Sequence, residues 1–369
     1  MVKTIDADVS DNSITAQFHL DPGRWNCVVS CYNADDSLTY KGTGTVNVAG
    51  GEYTISDIIF VFQPFIVGFC DSAGYSELKV RGDYAYTTNF GMGKLEIFDI
   101  SNPENPELVG ETYAKQLYGF DIKGNYLYAA SDSDGVTVID ISNPAEPFGY
   151  SPVDITVNNS RDVAVVNDYA YVVNRRGGLS VVDINNPPAI NEIFEDKPDI
   201  NEYYDCIYIE GSYAYIAGYF SDGSIGERIG KLFIYSIDDK ANPVRGTTTF
   251  DLPSYLSFDL TLENGYVYIA NHDEGLQIID ASYSMETVGV YPAADLRAVE
   301  IANNLAYIGD FSYSDKGFYV LDVSNPAQPV LLSKVEGIGS VRNIDIDNKY
   351  AYLIDEDLEK LIILQIAPF

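Results

Sequence analysis

The chain of 369 residues is poor in the side chains that usually do chemistry. It has four cysteines, two histidines and one tryptophan. No Cys-x-x-Cys occurs, which argues against a zinc or thiol-redox site. Cys27 and Cys31 lie four apart in an apparent strand, roughly 13 Å at strand rise and beyond disulfide reach. Cys206 reads as a buried thiol. A bridge from Cys70 to the N-terminal segment has no support in the sequence. There is no GxSxG, no HExxH, no Gly-rich phosphate loop and no Cys/His pair. The longest apolar run, Ile58 to Phe62, is too short to span a membrane. The opening residues MVKTIDADVS lack the apolar core of a signal peptide, so the chain is either cytoplasmic or a segment of a longer secreted protein. Basic residues are scarce: 22 Lys and Arg stand against 55 Asp and Glu, for a net charge of −33. Such a field repels nucleic acid and anionic lipid, so neither nucleic acid nor membrane insertion is expected. It suits solubility outside the cell or in saline surroundings. The sharper alternative is divalent-cation binding by clustered carboxylates.

What the chain has in abundance is tyrosine and glycine, thirty of each, as expected of an all-β, turn-rich protein. One stretch organises it: GVTVIDISNPAEP, from Gly135 to Pro147. Val136, Val138 and Ile139 are strand formers, Asp140 ends the strand, and Asn143-Pro144 turns the chain. KLEIFDISNPENP from Lys94, GLSVVDINNPP from Gly178 and GFYVLDVSNPAQP from Gly317 repeat it closely. GLQIIDASYS from Gly275 loses the Asn-Pro. KLFIYSIDDKANP from Lys231 puts Ser236 where Asp stands elsewhere. EKLIILQI near the C-terminus keeps only the strand. A Tyr-x-Tyr pair or relative precedes each copy. Its second aromatic falls at 86, 128, 171, 215, 268, 307 and 352, about 44 residues apart on average. That period is the mark of four-stranded propeller blades.

YAYVVNRRGGLSVVDINNP resembles the LVIVD repeat, found in bacterial and archaeal surface proteins and expected to form β-propellers. The resemblance covers roughly Pro64 to the C-terminus. It implies an extracellular or cell-surface location, which favours reading the chain as a mature segment of a secreted protein.

The expected fold is all-β: a seven-bladed propeller over residues 63–369 and a small immunoglobulin-like β-sandwich over residues 1–62. In the N-terminal segment, short alternating runs such as SITAQFHL and WNCVVSCY are separated by turn signals, and Trp25 reads as its core. PFIVGFCDSAGYSELKVRG (64–82) aligns without a gap on PELVGETYAKQLYGFDIKG (106–124). An outer strand, residues 65–70, therefore precedes the first repeat, while the last repeat lacks one. A closed ring needs every blade complete, so this strand is expected beside Leu361–Ile366. The short N-terminal segment, with a free strand edge, is also a candidate for self-assembly.

Asn-Pro turns and tight first-to-second-strand turns share one regular face. Longer, variable loops share the other, where function is expected. The aspartates Asp99, Asp140, Asp183, Asp280 and Asp322 read as turn caps. The Tyr-x-Tyr pairs read as packing between blades. Aligning the inner strands puts Ser76, Tyr118, Arg161, Asp205, Phe258, Arg297 and Arg342 at one level of the channel mouth. Glu77, Gly119, Asp162, Cys206, Asp259, Ala298 and Asn343 follow. Three arginines at one mouth could hold a carboxylate or sulfate, or they could pair with Asp162, Asp205, Asp259 and Glu77 and plug the channel. The candidate binding residues are thus Arg161, Arg297, Arg342, Asp162, Asp205, Asp259 and Tyr118. Tyr219 and Phe220 join them, on the longest loop, Gly218 to Gly230, beside Asp222, Glu227 and Arg228. His272 reads as an exposed loop histidine. Asp132 and Asp134 in SDSDG make half a calcium loop whose closing Glu is missing, so calcium is the one cofactor left open. The expected function is a non-catalytic binding or scaffold protein, for adhesion or assembly, with a protein or glycan partner at the cell surface. The alternative is a polysaccharide-active enzyme with its site at the channel mouth.

Overall fold

The computed structural model describes side chains for residues 63–366, apart from 73–75, 154, 156–158, 177, 197–200, 222–227, 248, 282–284 and 348; within residues 1–62 it describes the backbone of five strands. The chain divides into two compact units, Met1–Gln63 and Pro64–Phe369. In the first, β1 (Asp8–Ser10) pairs antiparallel with β2 (Ser13–Thr15). A second sheet runs β3 (Gly23–Tyr32), β4 (Leu38–Val48), β5 (Phe60–Phe62). The expected immunoglobulin-like sandwich is not supported. A sandwich needs two facing sheets of several strands, and the described strands form a two-stranded ladder and a three-stranded sheet. The side chains of Trp25, Cys27 and Cys31 lie outside the described residues.

The second unit is a seven-bladed propeller, and no helix occurs among the described residues. Its first strand, β6 (Phe65–Asp71), is set apart from blade one, which runs β7 (Glu77–Arg81), β8 (Tyr84–Asn89), β9 (Lys94–Asp99) and β10 (Glu107–Tyr113). Blade two runs from β11 (Phe120–Lys123) to β14 (Phe148–Gly149). Blade three runs from β15 (Ser160–Val166) to β18 (Asn191–Asp196). Blade four opens with β19 (Glu202–Glu210), β20 (Tyr213–Ser221) and β21 (Arg228–Ser236), with β22 (Val244–Arg245) and β23 (Phe250–Leu252) both paired to β21. Blade five runs from β24 (Asp259–Glu263) to β27 (Glu286–Tyr291) and blade six from β28 (Leu296–Ala302) to β31 (Val330–Val335). Blade seven has β32 (Val341–Ile346), β33 (Tyr350–Asp355) and β34 (Lys360–Gln365). It takes its fourth strand from the other end of the chain: β6 pairs antiparallel with β34, Phe65 opposite Gln365 and Cys70 opposite Leu361. Cys70 is a free thiol, as is buried Cys206.

The ring is held by apolar packing between blades. Seven buried clusters each join two successive blades. Tyr86 packs with Phe120 and Leu127, Tyr128 with Ala170 and Val172, and Tyr171 with Ile216. Tyr352 and Ile363 of blade seven meet Leu78 and Ala85 of blade one and close the circle. Alternate residues of a strand share a face, so both tyrosines of a pair meet the same junction: the second is buried in it, and Tyr84, Tyr126, Tyr169 and Tyr350 pack half-buried against it. Burying a ring of that size stabilises each junction by about 1.5–3 kcal/mol relative to leaving it exposed.

The regular face is built by local hydrogen bonds. The carboxylates of Asp99, Asp140, Asp183 and Asp322 each accept the backbone N–H two residues on, at 2.8–2.9 Å. In blade four the Ser236 hydroxyl accepts the Asp238 N–H instead, at 3.4 Å. The glycine of PFIVG and PELVG also has a cause. A Cβ on Gly68 or Gly110 would collide with the carbonyl oxygen of Pro103 or Pro144 in the next blade's Asn-Pro turn, so only glycine lets that turn close on the outer strand.

Candidate functional site at the channel mouth

The inner strands alternate between facing the blade core and facing the channel. Four of them break that alternation at their start. Register slips between Ser160 and Asp162, Tyr204 and Cys206, Leu296 and Ala298, and Val341 and Asn343. The extra residues are Arg161, Asp205, Arg297 and Arg342. A β-bulge re-aims its side chain, so that both Arg161 and Asp162, and both Arg342 and Asn343, reach one cavity. That cavity, of about 400 Å³, runs from Tyr118, Phe258 and the arginines down to Lys79, Glu300 and Asp345.

Its upper level is cationic and aromatic. Arg161, Arg175, Arg297 and Arg342 line it, four of the chain's nine arginines. The Arg161 guanidinium lies 4.1 Å from the Tyr118 ring, which itself stacks on Phe90 at 4.2 Å. Arg297 sits 3.8 Å from Phe311 and 4.8 Å from Phe258. Both oxygens of Asp295 accept from Arg297, at 2.9 Å each. Arg175 pairs with Asp205 at 3.4 Å, and Arg342 lies 3.6 Å from Glu356. Arg161 has no carboxylate within ion-pair distance among the described residues, and its Nε is buried without a hydrogen bond. Stacked, desolvated guanidinium groups are the usual receptors for carboxylate and sulfate.

The lower level is acidic. Glu77, Asp162, Asp259, Glu300 and Asp345 line it. Asp121 lies 3.5 Å from Lys79. Several of these acids latch blades together. Asp121 accepts the Val165 N–H at 2.7 Å, Asp162 the Ile207 N–H at 3.0 Å and Asp259 the Val299 N–H at 3.0 Å. Asp345 accepts the Val80 N–H across the ring's seam. Inner strands have a row of N–H groups with no ladder partner, and each latch satisfies one. Burial pushes Asp162 and Asp345 up to about 6 and Asp259 up to about 7. It pushes Asp205 up to about 6 against the pull of Arg175 and Arg161. Glu300 stands well above the usual carboxylate range through burial and the nearby Asp345, and Glu77 does so through burial and Asp162. For Lys79 burial disfavours the charge, yet Asp121, Glu77 and Asp162 outweigh it and keep the ammonium protonated.

Of the residues singled out from sequence, Arg161, Arg297, Arg342, Asp162, Asp205, Asp259 and Tyr118 meet in this cavity. Among the described residues no ion pair joins Arg161 or Arg297 to Asp162 or Asp259, while Asp205 pairs with Arg175. The arginines sit one level higher and find Asp295 and Glu356 on variable-face loops instead. Tyr219 and Phe220 require a correction. The stretch from Gly218 is not a free loop but the continuation of the β20–β21 hairpin, with Tyr219 opposite Gly230 and Phe220 opposite Ile229. Tyr219 is only 5% exposed. It stacks on Tyr203 at 4.5 Å, meets Tyr255 edge-on at 5.9 Å, and carries Arg228 at 5.3 Å. Consecutive aromatic and β-branched residues favour strand over loop. Asp222 and Glu227 lie outside the described residues. His272 is half-buried, its ring nitrogens 3.0 Å from Asp273 and 3.5 Å from Asp295. Asp134 is paired with Lys115 at 3.2 Å, and no group of three metal-ligating side chains gathers among the described residues. Sequence reading missed Arg175, which sits in the NRRG loop, and the level of Lys79, Glu300 and Asp345, one alternation further along the same strands.

The ring, its bulged inner strands and its central cavity define a seven-bladed β-propeller. The LVIVD repeat matches residues 74–113, 119–152, 158–195, 257–284 and 294–336, and the chain belongs to this repeat family. Blades four and seven, the one with the extended hairpin and the one assembled from both chain ends, fall outside the matches. No curated protein sequence matches the chain. Among solved structures, the Myceliophteria thermophila Cps50 (Swd1) β-propeller domain is 12% identical with a TM-score of 0.60, covering 82% of this chain and 100% of that one. Kuenenia stuttgartiensis hydrazine synthase is 14% identical with a TM-score of 0.62, covering 81% and 97%. The Neurospora crassa Pan2 WD40 domain is 12% identical with a TM-score of 0.62, covering 83% and 96%. At such identities the likeness is one of fold.

Proposed function

We propose that the protein is a non-catalytic binding or scaffold module, working at the cell surface or outside the cell, that captures an anionic group of a glycan or protein at its channel mouth. One observation carries the reading. In a chain of net charge −33, four of nine arginines converge on one mouth, and Arg161 there has an aromatic backing and no carboxylate within ion-pair distance among the described residues. Long, desolvated arginines over aromatic rings are costly to hold in place and are characteristic of recognition surfaces. The acidic remainder of the surface keeps the molecule soluble and discourages other polyanions from binding elsewhere. The N-terminal unit, with its described strand edges, is the candidate for assembly. The test is binding to immobilised uronate- and sulfate-bearing oligosaccharides and to acidic peptides, wild type against the double change Arg297→Glu and Arg342→Glu. Wild type is expected to hold at least one such probe, and the double variant to lose it by about a hundredfold. Equal binding by both proteins rejects the mouth as the site.

A second reading, a polysaccharide-active enzyme, is favoured by one feature. Glu77 and Glu300 share the cavity and both hold their protons above the usual range, as a general acid must. Release of reducing ends from a uronate polysaccharide, abolished by Glu300→Gln, would establish it over the first.

A further inference from the structure

The acids beneath the mouth give the cavity a second pole. We propose that it takes a zwitterion, an ω-ammonium carboxylate of about the size of lysine, its carboxylate on the arginines and its ammonium at Glu300. The proposal rests on the mouth being an anion site and adds the lower half. Arg297 and Glu300 stand three residues apart on β28, as do Arg342 and Asp345 on β32, a rise of roughly 8–10 Å with the bulge at each arginine allowed for. That is the reach of an extended lysine with its own α-carboxylate. The cavity is continuous between the two levels.

Charge selects the same class. A bare polycation meets arginines first and is turned away. A polyanion is held at the mouth but finds below it only Lys79, already engaged by Asp121, whereas an ammonium beside Glu300 favours the ionised form of that carboxyl. Only a ligand with both signs at that spacing satisfies both levels. Glu300 is also the acid with capacity to spare. Asp345 spends its oxygens on the Val80 and Ile346 N–H groups, whereas among the described residues Glu300 accepts no hydrogen bond from another blade. Lys79 is engaged by Asp121, so it does not neutralise Glu300 by direct contact.

The experiment is calorimetric titration of the whole chain with three probes: 6-aminohexanoate, hexanoate and hexylamine. 6-Aminohexanoate is expected to bind at least about tenfold tighter than either singly charged probe. Glu300→Gln should reduce that advantage by about tenfold while leaving hexanoate unchanged, and Arg342→Gln should weaken both carboxylates. Hexanoate binding as tightly as 6-aminohexanoate overturns the bipolar site and leaves the anion-binding mouth standing. Hexylamine binding tighter than either carboxylate overturns both readings, as does probe binding that Arg297→Glu with Arg342→Glu leaves unaltered. Absence of binding by all three probes overturns the bipolar site. Should Glu300→Gln fail to fold, the ratio of the three probes on wild type decides alone.

Discussion

Asp99 and Asp162 show what two regions of one propeller do to the same side chain. Asp99 ends a third strand on the regular face, where the Ser101 hydroxyl and N–H donate to it at 2.6 and 2.9 Å and hold its carboxyl below the usual range. Asp162 faces the channel and also receives two N–H bonds, from Val163 and Ile207 at 2.8 and 3.0 Å. Its carboxyl is nevertheless pushed up to about 6, because burial outweighs the bonds and Lys79 together. Hydrogen bonds to a carboxylate favour the charge, and loss of water opposes it. On the open face the first wins and in the channel the second. The channel therefore stores unfavourable charge, and the outer turns do not.

The largest effect that separates enclosed from open positions is expected at Tyr219. As a loop residue it would be removable without thermal cost. As a ring stacked on Tyr203 and covered by Tyr255 and Arg228, it supports the channel end of blade four. Tyr219→Ala should cost about 3–5 kcal/mol, the usual penalty for emptying a buried aromatic site. Chemical denaturation is the measurement. A loss under about 0.5 kcal/mol, the size of an ordinary surface change, returns the residue to the solvent-facing class.

Tyr219 also shows where sequence stops being legible. The seven-fold period was readable because Tyr86, Tyr128, Tyr171 and their counterparts meet one requirement, filling a junction between blades, and repeat it. Alignment on the inner strands gathered Arg161, Arg297 and Arg342 because their bulges fall at one position. Their acid partners escaped, since Asp295 and Glu356 come from loops that obey no period. The hairpin at Gly218 escaped because repeat length alone cannot tell an inserted loop from two strands that simply continue. The latching role of Asp121 and Asp345 escaped because it joins residues 44 or 265 apart, a separation with no local trace.

The next effect sets the pH optimum of stability. Asp162, Asp205, Asp259 and Asp345 titrate near 6 to 7 in the folded ring, above the ordinary carboxylate value of 3.8. A raised acid favours the folded state while protonated. Its contribution is fully present below about 4 and is lost as the pH climbs through 6 and 7. The lowered acids Asp99, Asp273 and Asp357 act oppositely, losing their contribution as the pH falls below the ordinary carboxylate range. Stability should peak near pH 5, with the melting temperature several degrees higher there than at pH 8. A melting temperature that is flat or rises across that interval would show that water reaches the channel acids freely.

The smallest effect is expected on the regular face. Asp140 accepts the Ser142 N–H at 2.9 Å in an exposed turn. Removing it as Asp140→Ala deletes one local hydrogen bond that water can replace, so the cost should be about 0.5–1 kcal/mol. Blade four carries its own control, since Ser236 stands at the same place and its hydroxyl accepts the Asp238 N–H at 3.4 Å. Asp140→Ser should therefore recover part of the alanine loss. The neighbouring geometry argues against a larger penalty: Asn143 still turns the chain by receiving the Ala145 N–H at 3.3 Å, and the Glu146 N–H still closes on the Asn143 carbonyl at 2.9 Å. A loss at Asp140→Ala as large as that at Tyr219→Ala would mean that the open turns, and not the enclosed junctions, carry the ring.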